Sequence, residues 1–337
     1  MEYESLEVDG LIFAGRVARM TGERADLARD QQRGLLLGIR RGVYVRRELW
    51  NTKTERERHI IRVRATVAAA DQPVVVTGVS AAAVWGIPIA GSWPEDVMLL
   101  QDRPGGGRRE PGVRRTSVGV ATARPVLLGG IPVTTLARTA LDIARTNTFS
   151  VAVGSVDWVL WRKNPGAISR DELAEEAEIL RPVRGFRRIA RVTEFATTLS
   201  DSFGESRARA VIHLLGFQSP VLQQQFHDSD GDIFPDFFWK SASVAAEFDG
   251  KQKYTRDEYT CGDPSEVVWR EKQREDRLRR QVGRVERILN WDVMQPGRLE
   301  RILTDANVPR YHLAGGEKAT GRGYNAAHRG ISPPASG

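Results

Sequence analysis

Between Ile233 and Asp249 the chain carries two short runs in which apolar and acidic residues alternate with a period of two. Alternation of that period puts every second side chain on one face of a strand, so Phe234, Asp236 and Phe238 share a face in the first run, Ile233 to Trp239. In the second, Ser243 to Asp249, Ala245, Glu247 and Asp249 do the same. With Lys240 to Ser243 as the loop of an antiparallel hairpin, Trp239 pairs with Val244, and the same register sets Asp236 opposite Glu247. Two carboxylates facing one another repel, and a divalent cation between them relieves the repulsion. Mg²⁺ or Mn²⁺ suits such a pair, because a hard cation takes one or two protein carboxylates and fills its other positions with water and phosphate oxygens. The chemistry expected of that arrangement is phosphodiester hydrolysis.

Upstream, Ser202-Phe203-Gly204-Glu205 opens a helix expected over Ser206 to Leu215, with Gly216 as its stop. Ala208, Val211, Ile212 and Leu215 recur at the spacing of a buried stripe, and Glu205 lies at the first turn of the same face. Ser202 and Glu205 also form an S-x-x-E capping box, so Glu205 suits a helix cap and a metal site equally. Downstream, Lys251 and Lys253 follow Asp249 closely, and the chain has only seven lysines among its 50 basic residues. Either lysine can orient a water or stabilise charge on a phosphate, or simply offset Glu247 and Asp249. The next helix, Pro264 to Gln281, is dense in charge. Its Glu266/Arg270 and Glu275/Arg279 pairs are ordinary helix support, which leaves Arg274 and its neighbours for a nucleic-acid backbone.

Residues 11 to 47 read as a helix, a turn at Thr21-Gly22, a second helix from Arg24 to Gln32, and a two-stranded ribbon turning through Arg40-Arg41-Gly42. That order is a winged helix-turn-helix, with Arg24, Arg29, Arg33, Arg40, Arg41, Arg46 and Arg47 as candidate DNA contacts. From residue 51 to 199 helical and strand-like segments alternate with no catalytic pattern. The expected organisation is α/β throughout: a winged helix (1–50), a mixed α/β middle domain (51–199), a C-terminal domain (200–308) and a disordered Gly/Ala/Ser/Pro-rich tail (309–337).

Composition excludes several alternatives. One cysteine among 337 residues forbids an intramolecular disulfide and a cysteine-rich zinc site. The five histidines are scattered without ligand spacing, and there is no phosphate loop, dinucleotide fingerprint or Ser-His-Asp order. No apolar run is long enough to span a membrane, and the acidic N-terminus lacks the pattern of a signal peptide, so the expected location is the cytoplasm. The net charge of +7 has the sign that suits DNA.

Residues Glu205 to about Leu303 resemble the very-short-patch-repair branch of the PD-(D/E)xK restriction-endonuclease-like superfamily. The likeness is carried by Gly204-Glu205-Ser206-Arg207, Phe234-Pro235-Asp236-Phe237, Glu247-Phe248-Asp249-Gly250 and Glu271-Lys272-Gln273-Arg274-Glu275-Asp276. It implies a mixed sheet flanked by helices, a divalent-metal-dependent endonuclease, Asp236 and Glu247 as metal ligands, and Glu205 assisting from its helix. The family's lysine two residues after the second acid is here Asp249, so Lys251 or Lys253 would take its place among the catalytic residues. The N-terminal region, through Gly34-Leu35 and Ile39-Arg40-Arg41-Gly42-Val43-Tyr44, resembles the winged-helix antitoxins of type IV abortive-infection toxin-antitoxin systems. That likeness implies DNA binding, with a cognate toxin or a second copy of the chain as further partner. It also supplies an alternative function, a non-enzymatic transcriptional regulator on a degenerate nuclease fold.

Overall fold

The computed structural model describes residues 7–21, 25–102, 110–164, 166–250 and 264–311, and the chain forms two compact α/β units. The first comprises Met1–Thr146 with Ile168–Thr193, and the second Asn147–Ala167 with Glu194–Gly337. The expected α/β class holds for both.

In the first unit, β1 (Glu7–Val8), β2 (Leu11–Phe13), α1 (Ala14–Thr21), α2 (Ala25–Gln32), β3 (Leu36–Arg40) and β4 (Val43–Arg46) come first. Their strands form an antiparallel sheet in the order β1-β2-β4-β3. Residues 11–13 are therefore a strand and not the start of the first helix. The reason lies in burial on both sides: Ile12 packs with Val17, Leu27 and Leu36, whereas Leu11 packs with Val43, Ile61 and Ala65. Only an extended backbone sends neighbouring side chains to opposite faces. The expected ribbon is present, and Gly42 takes the left-handed backbone its tight turn requires, at φ +74°.

After α3 (Arg47–Thr52) and α4 (Glu55–Ala68), the strands β5 (Val75–Val76), β6 (Val97–Leu100), β7 (Val113–Thr116), β8 (Val126–Leu128) and β9 (Ile131–Val133) build a mixed sheet, β7-β6-β5-β9-β8. Helix α5 (Gly78–Trp85) lies between β5 and β6 in the chain, and α6 (Leu136–Thr146) follows β9. The core is aliphatic, from Val63, Val76, Leu99 and Val133 among others. Beside it sits a buried polar group: Arg138 donates to Asp142 at 3.1 Å, and Thr77 donates to the same carboxylate at 2.8 Å. His59, wholly buried, lies between the Pro94 carbonyl at 2.8 Å and Ser80 Oγ at 2.9 Å. Because a carbonyl only accepts, Nδ1 carries the proton and Nε2 accepts from Ser80.

The next helix, α7 (Phe149–Leu160), belongs to the second unit, while α8 (Arg170–Ile179) and most of α9 (Phe186–Phe195) return to the first. The second unit continues with α10 (Phe203–Leu214), β10 (Val221–Leu222), β11 (Phe226–Asp228), β12 (Gly231–Ile233), β13 (Phe237–Trp239) and β14 (Val244–Asp249). It ends with α11 (Pro264–Arg279), β15 (Arg284–Leu289), α12 (Asn290–Met294) and α13 (Pro296–Asp305). Its sheet runs β10-β13-β14-β15, with β14 and β15 parallel and the other pairs antiparallel. Parallel neighbours require a crossover, and α11 lies within it. One face packs Phe237, Trp239, Val244 and Ala246 against the buried stripe of α10, Ala208, Val211 and Ile212. The other packs Phe238 and Ala245 against Leu278 of α11.

Residues 309 to 311, expected to belong to a disordered tail, are instead paired within the second unit. Arg310 bridges to Phe217, and the Tyr311 amide donates to the Gly216 carbonyl at 2.9 Å, so pairing with the end of α10 orders the chain through Tyr311. Residues 312–337 lie outside the described residues.

Candidate functional site

The predicted hairpin register is present, with Trp239 opposite Val244 and Phe237 opposite Ala246. The expected strand Ile233 to Trp239 is not continuous. Ile233 ends a separate hairpin with β11, and β13 begins only at Phe237. Pro235 in the gap has no amide to offer a ladder. Asp236 therefore sits at the end of the ladder, and its carboxylate accepts the Phe248 amide at 2.7 Å in place of a backbone partner.

Glu205 reaches the same neighbourhood from α10. Ser202 caps that helix by accepting the Glu205 amide at 3.1 Å, which is half of the anticipated box. The other half differs: the Glu205 carboxylate accepts from the Asp201 amide at 3.0 Å. Replacing Ser202 with alanine removes the cap and is expected to cost about 1 kcal/mol, read as a lower urea midpoint at unchanged slope.

Helix α10 is held rigidly from behind. Arg209, one turn beyond Glu205, donates to Asp157 of α7 at 3.0 Å and to the Phe195 carbonyl at 2.9 Å, all in a buried setting. His213 packs at a tilt against Phe195, 4.7 Å between ring centres, and is a packed residue. At Gly204 a side chain would collide with the Phe248 ring, so glycine lets α10 approach β14 beside the amide that holds Asp236.

Electrostatics mark these carboxylates. Burial, and then the Asp236 charge, push Glu205 up to about 7. Burial also pushes Asp236 up to about 6, against the Phe248 hydrogen bond and with the help of the Glu247 charge. Glu247 is better compensated, since Arg274 of α11 forms an ion pair with it and donates a second hydrogen bond to the Phe234 carbonyl at 2.7 Å. Asp249, where the resemblance expects a lysine, faces Arg287 of β15 at 3.4 Å. Arginines thus supply the positive charge at this end of the sheet, and Arg274, expected along a DNA backbone, lies among the acids.

Lys251 and Lys253 fall outside the described residues, as does Arg24. Sequence reasoning missed Asp201, whose charge raises both Glu205 and Asp236 and whose carboxylate accepts from Trp161 at 3.1 Å and Lys163 at 3.2 Å. No periodicity links residue 163 to residue 236, although the scarcity of lysine was a usable signal.

Among the described residues no group of three or more His, Cys, Asp or Glu side chains is placed as a ready set of metal ligands. The donor chemistry nevertheless fits a hard divalent cation held by two carboxylates. Asp236 and Glu247 offer only oxygen atoms, and the raised Asp236 carboxyl, pushed up by burial and by the Glu247 charge, is what such a cation would relieve.

The candidate DNA contacts of the first unit divide into two sets. Arg40 is taken up internally, donating to Thr66 at 3.1 Å, the Pro111 carbonyl at 2.6 Å and Glu110 at 3.3 Å, so it ties the ribbon down and is not presented to a phosphate. Arg46 pairs with Glu7 at 2.5 Å, and Arg47 donates to the Gly34 carbonyl at 2.6 Å. Arg29, Arg33 and Arg41 are exposed, Arg33 lying 3.9 Å from Asp30. No described helix is long and apolar enough to cross a membrane.

No protein-family model and no curated protein matches the chain. Among solved structures, the RV2827C protein from Mycobacterium tuberculosis is similar at 14% identity over 65% of this chain and 83% of that one, with a TM-score of 0.36.

Proposed function

We propose that the chain is a DNA-binding protein whose second unit is a restriction-endonuclease-like domain hydrolysing phosphodiester bonds with a divalent metal, and whose first unit begins with a winged helix-turn-helix. The observation that carries this reading is the convergence of Glu205, Asp236 and Glu247, from one helix and the neighbouring ends of two strands, with two of the three carboxyls raised to about 7 and 6. Raised acids at one place are typical of catalytic sites. Asp236 and Glu247 would hold Mg²⁺ or Mn²⁺, which when bound supplies charge neutralisation at the phosphate and an acidified water. Glu205, near neutrality, is suited to take the proton of the attacking water. Arg274 fixes Glu247 in place and brings positive charge to the phosphate.

A second reading, a non-enzymatic regulator or antitoxin on the same fold, is favoured by two features. Asp249 stands where a lysine is expected, and Arg274 already neutralises Glu247. The two readings separate on supercoiled plasmid, single-stranded and branched DNA in Mg²⁺, Mn²⁺ and EDTA, with Asp236→Ala and Glu247→Ala alongside. Metal-dependent cleavage lost in both variants supports the nuclease. Binding without cleavage of any substrate, with protection of the DNA upstream of its own gene, supports the regulator.

A further inference from the structure

Most arginines around the first sheet are answered by their own chain. Arg46 has Glu7, Arg115 has Glu110 at 2.5 Å, and Arg40 has three acceptors. Three others are not. Arg16 and Arg19 of α1 and Arg41 of the β3–β4 turn line one open depression of about 560 Å³, and among the described residues none of the three has an ion-pair partner. Among the described residues no acid lines the depression, and α1 has no acid in its first turn. Converging cations repel one another unless an anion joins them, and the positive end of a helix adds to the same field. The remaining lining is apolar, including Phe13, Val43 and Ala68. Gly42 at the turn leaves the backbone bare beside Arg41.

We propose that Arg16, Arg19 and Arg41 form a binding pocket for a nucleotide phosphate, with the apolar floor receiving the sugar or base that the phosphate carries. Guanidinium groups suit this ligand because each can present two parallel N–H donors to phosphate oxygens. The assignment goes beyond the DNA contacts proposed above. Arg16 and Arg19 lie on α1, outside the second helix on which a winged-helix reading depends, and the pocket stands whether or not the second unit cuts DNA. The phosphate has two sources, a terminal or free nucleotide phosphate and the internal backbone of a duplex, which share this chemistry.

Full-length protein in EDTA, where metal-dependent cleavage cannot contribute, is titrated with AMP and with two otherwise identical short duplexes, one 5′-phosphorylated and one 5′-hydroxyl. Wild type is compared with the Arg16→Gln/Arg41→Gln double variant and with Arg114→Gln, an exposed change outside the pocket and outside the candidate DNA contacts. The double variant is expected to bind phosphate ligand at least tenfold more weakly, while Arg114→Gln changes affinity less than twofold. Preference for AMP and the phosphorylated duplex identifies the terminal phosphate as the source. Equal binding of both duplexes without AMP, with a salt slope reduced by roughly 1.8 in the double variant, identifies the backbone. Wild-type affinity for all three ligands in the double variant, or an equal loss in Arg114→Gln, overturns the assignment.

Discussion

Replacing Asp236 by asparagine is expected to lower metal-dependent DNA cleavage by roughly a thousandfold and, in metal-free buffer at pH 8, to raise the stability of the second unit. The two effects share one cause. Asparagine keeps an oxygen for the Phe248 amide, so the ladder end stays closed, but it removes a charge that burial and the Glu247 carboxylate oppose. A carboxyl raised from 3.8 to about 6 is ionised in the fold at pH 8 at a cost of about 2–3 kcal/mol, and the neutral amide avoids that cost. Glu247→Gln is expected to lose cleavage as well but to lower stability, because it strips Arg274 of its charged partner. Saturating Mg²⁺ should narrow or reverse the advantage of Asp236→Asn, since a ligand that binds the folded state stabilises only the variant that holds it. Thermal unfolding with and without Mg²⁺, beside a plasmid nicking assay, checks every part. A variant that loses activity and also melts lower in EDTA would remove the charge-repulsion argument and leave Asp236 as an ordinary ladder cap.

Local periodicity and stop signals placed the helices over 203–214 and 264–279 and the strand over 244–249 to within a few residues. The hairpin register was also legible, because a one-residue slip would have moved Phe237 and Trp239 out of the core they share with Ala246. What local pattern could not carry is partnership at a distance. Leu11–Phe13 reads as helix because its apolar run continues into α1, and only the separate clusters that receive Leu11 and Ile12 require a strand. The parallel strand Arg284–Leu289 is half charged and gains its place from β14. Helix α7 looks like part of the middle domain, yet Asp157 and Gly154 belong with α10, through the Arg209 pair and the Phe203 ring. At the site, the acids were readable from spacing, whereas the arginines that answer them, Arg274 and Arg287, come from elements whose register depends on the whole sheet.

The two units should respond to pH in opposite directions. His59 is wholly buried with Nε2 occupied by Ser80, and burial depresses it from 6.5 to about 4. Trp93 stacks on the ring at 5.7 Å and Arg62 is the charged neighbour, so the surroundings offer an imidazolium nothing except the Pro94 carbonyl already used. Below 6.5 the unfolded chain binds a proton that the fold refuses, so this contribution is complete above 6.5 and is lost as pH falls towards about 4. It amounts to about 3 kcal/mol in all. In the second unit Glu205 and Asp236 are raised, so the fold holds protons that the unfolded chain has released. Their contribution is complete below the ordinary carboxyl range and is lost as pH rises through about 6 to 7. Asp228, depressed to about 2 by Arg277, titrates below this window, while Glu176 of the first unit is raised and opposes His59. Hydrogen exchange at pH 5 and pH 7.5, corrected for intrinsic rates, reads the units separately. Protection across α4 and α5 should fall at pH 5 while protection across α10 and β14 rises, and His59→Gln should flatten the first response without touching the second. Parallel changes in both sets of peptides would show that the buried histidine and the carboxylate cluster do not govern their units, and would count against treating Glu205 as a group poised near neutrality.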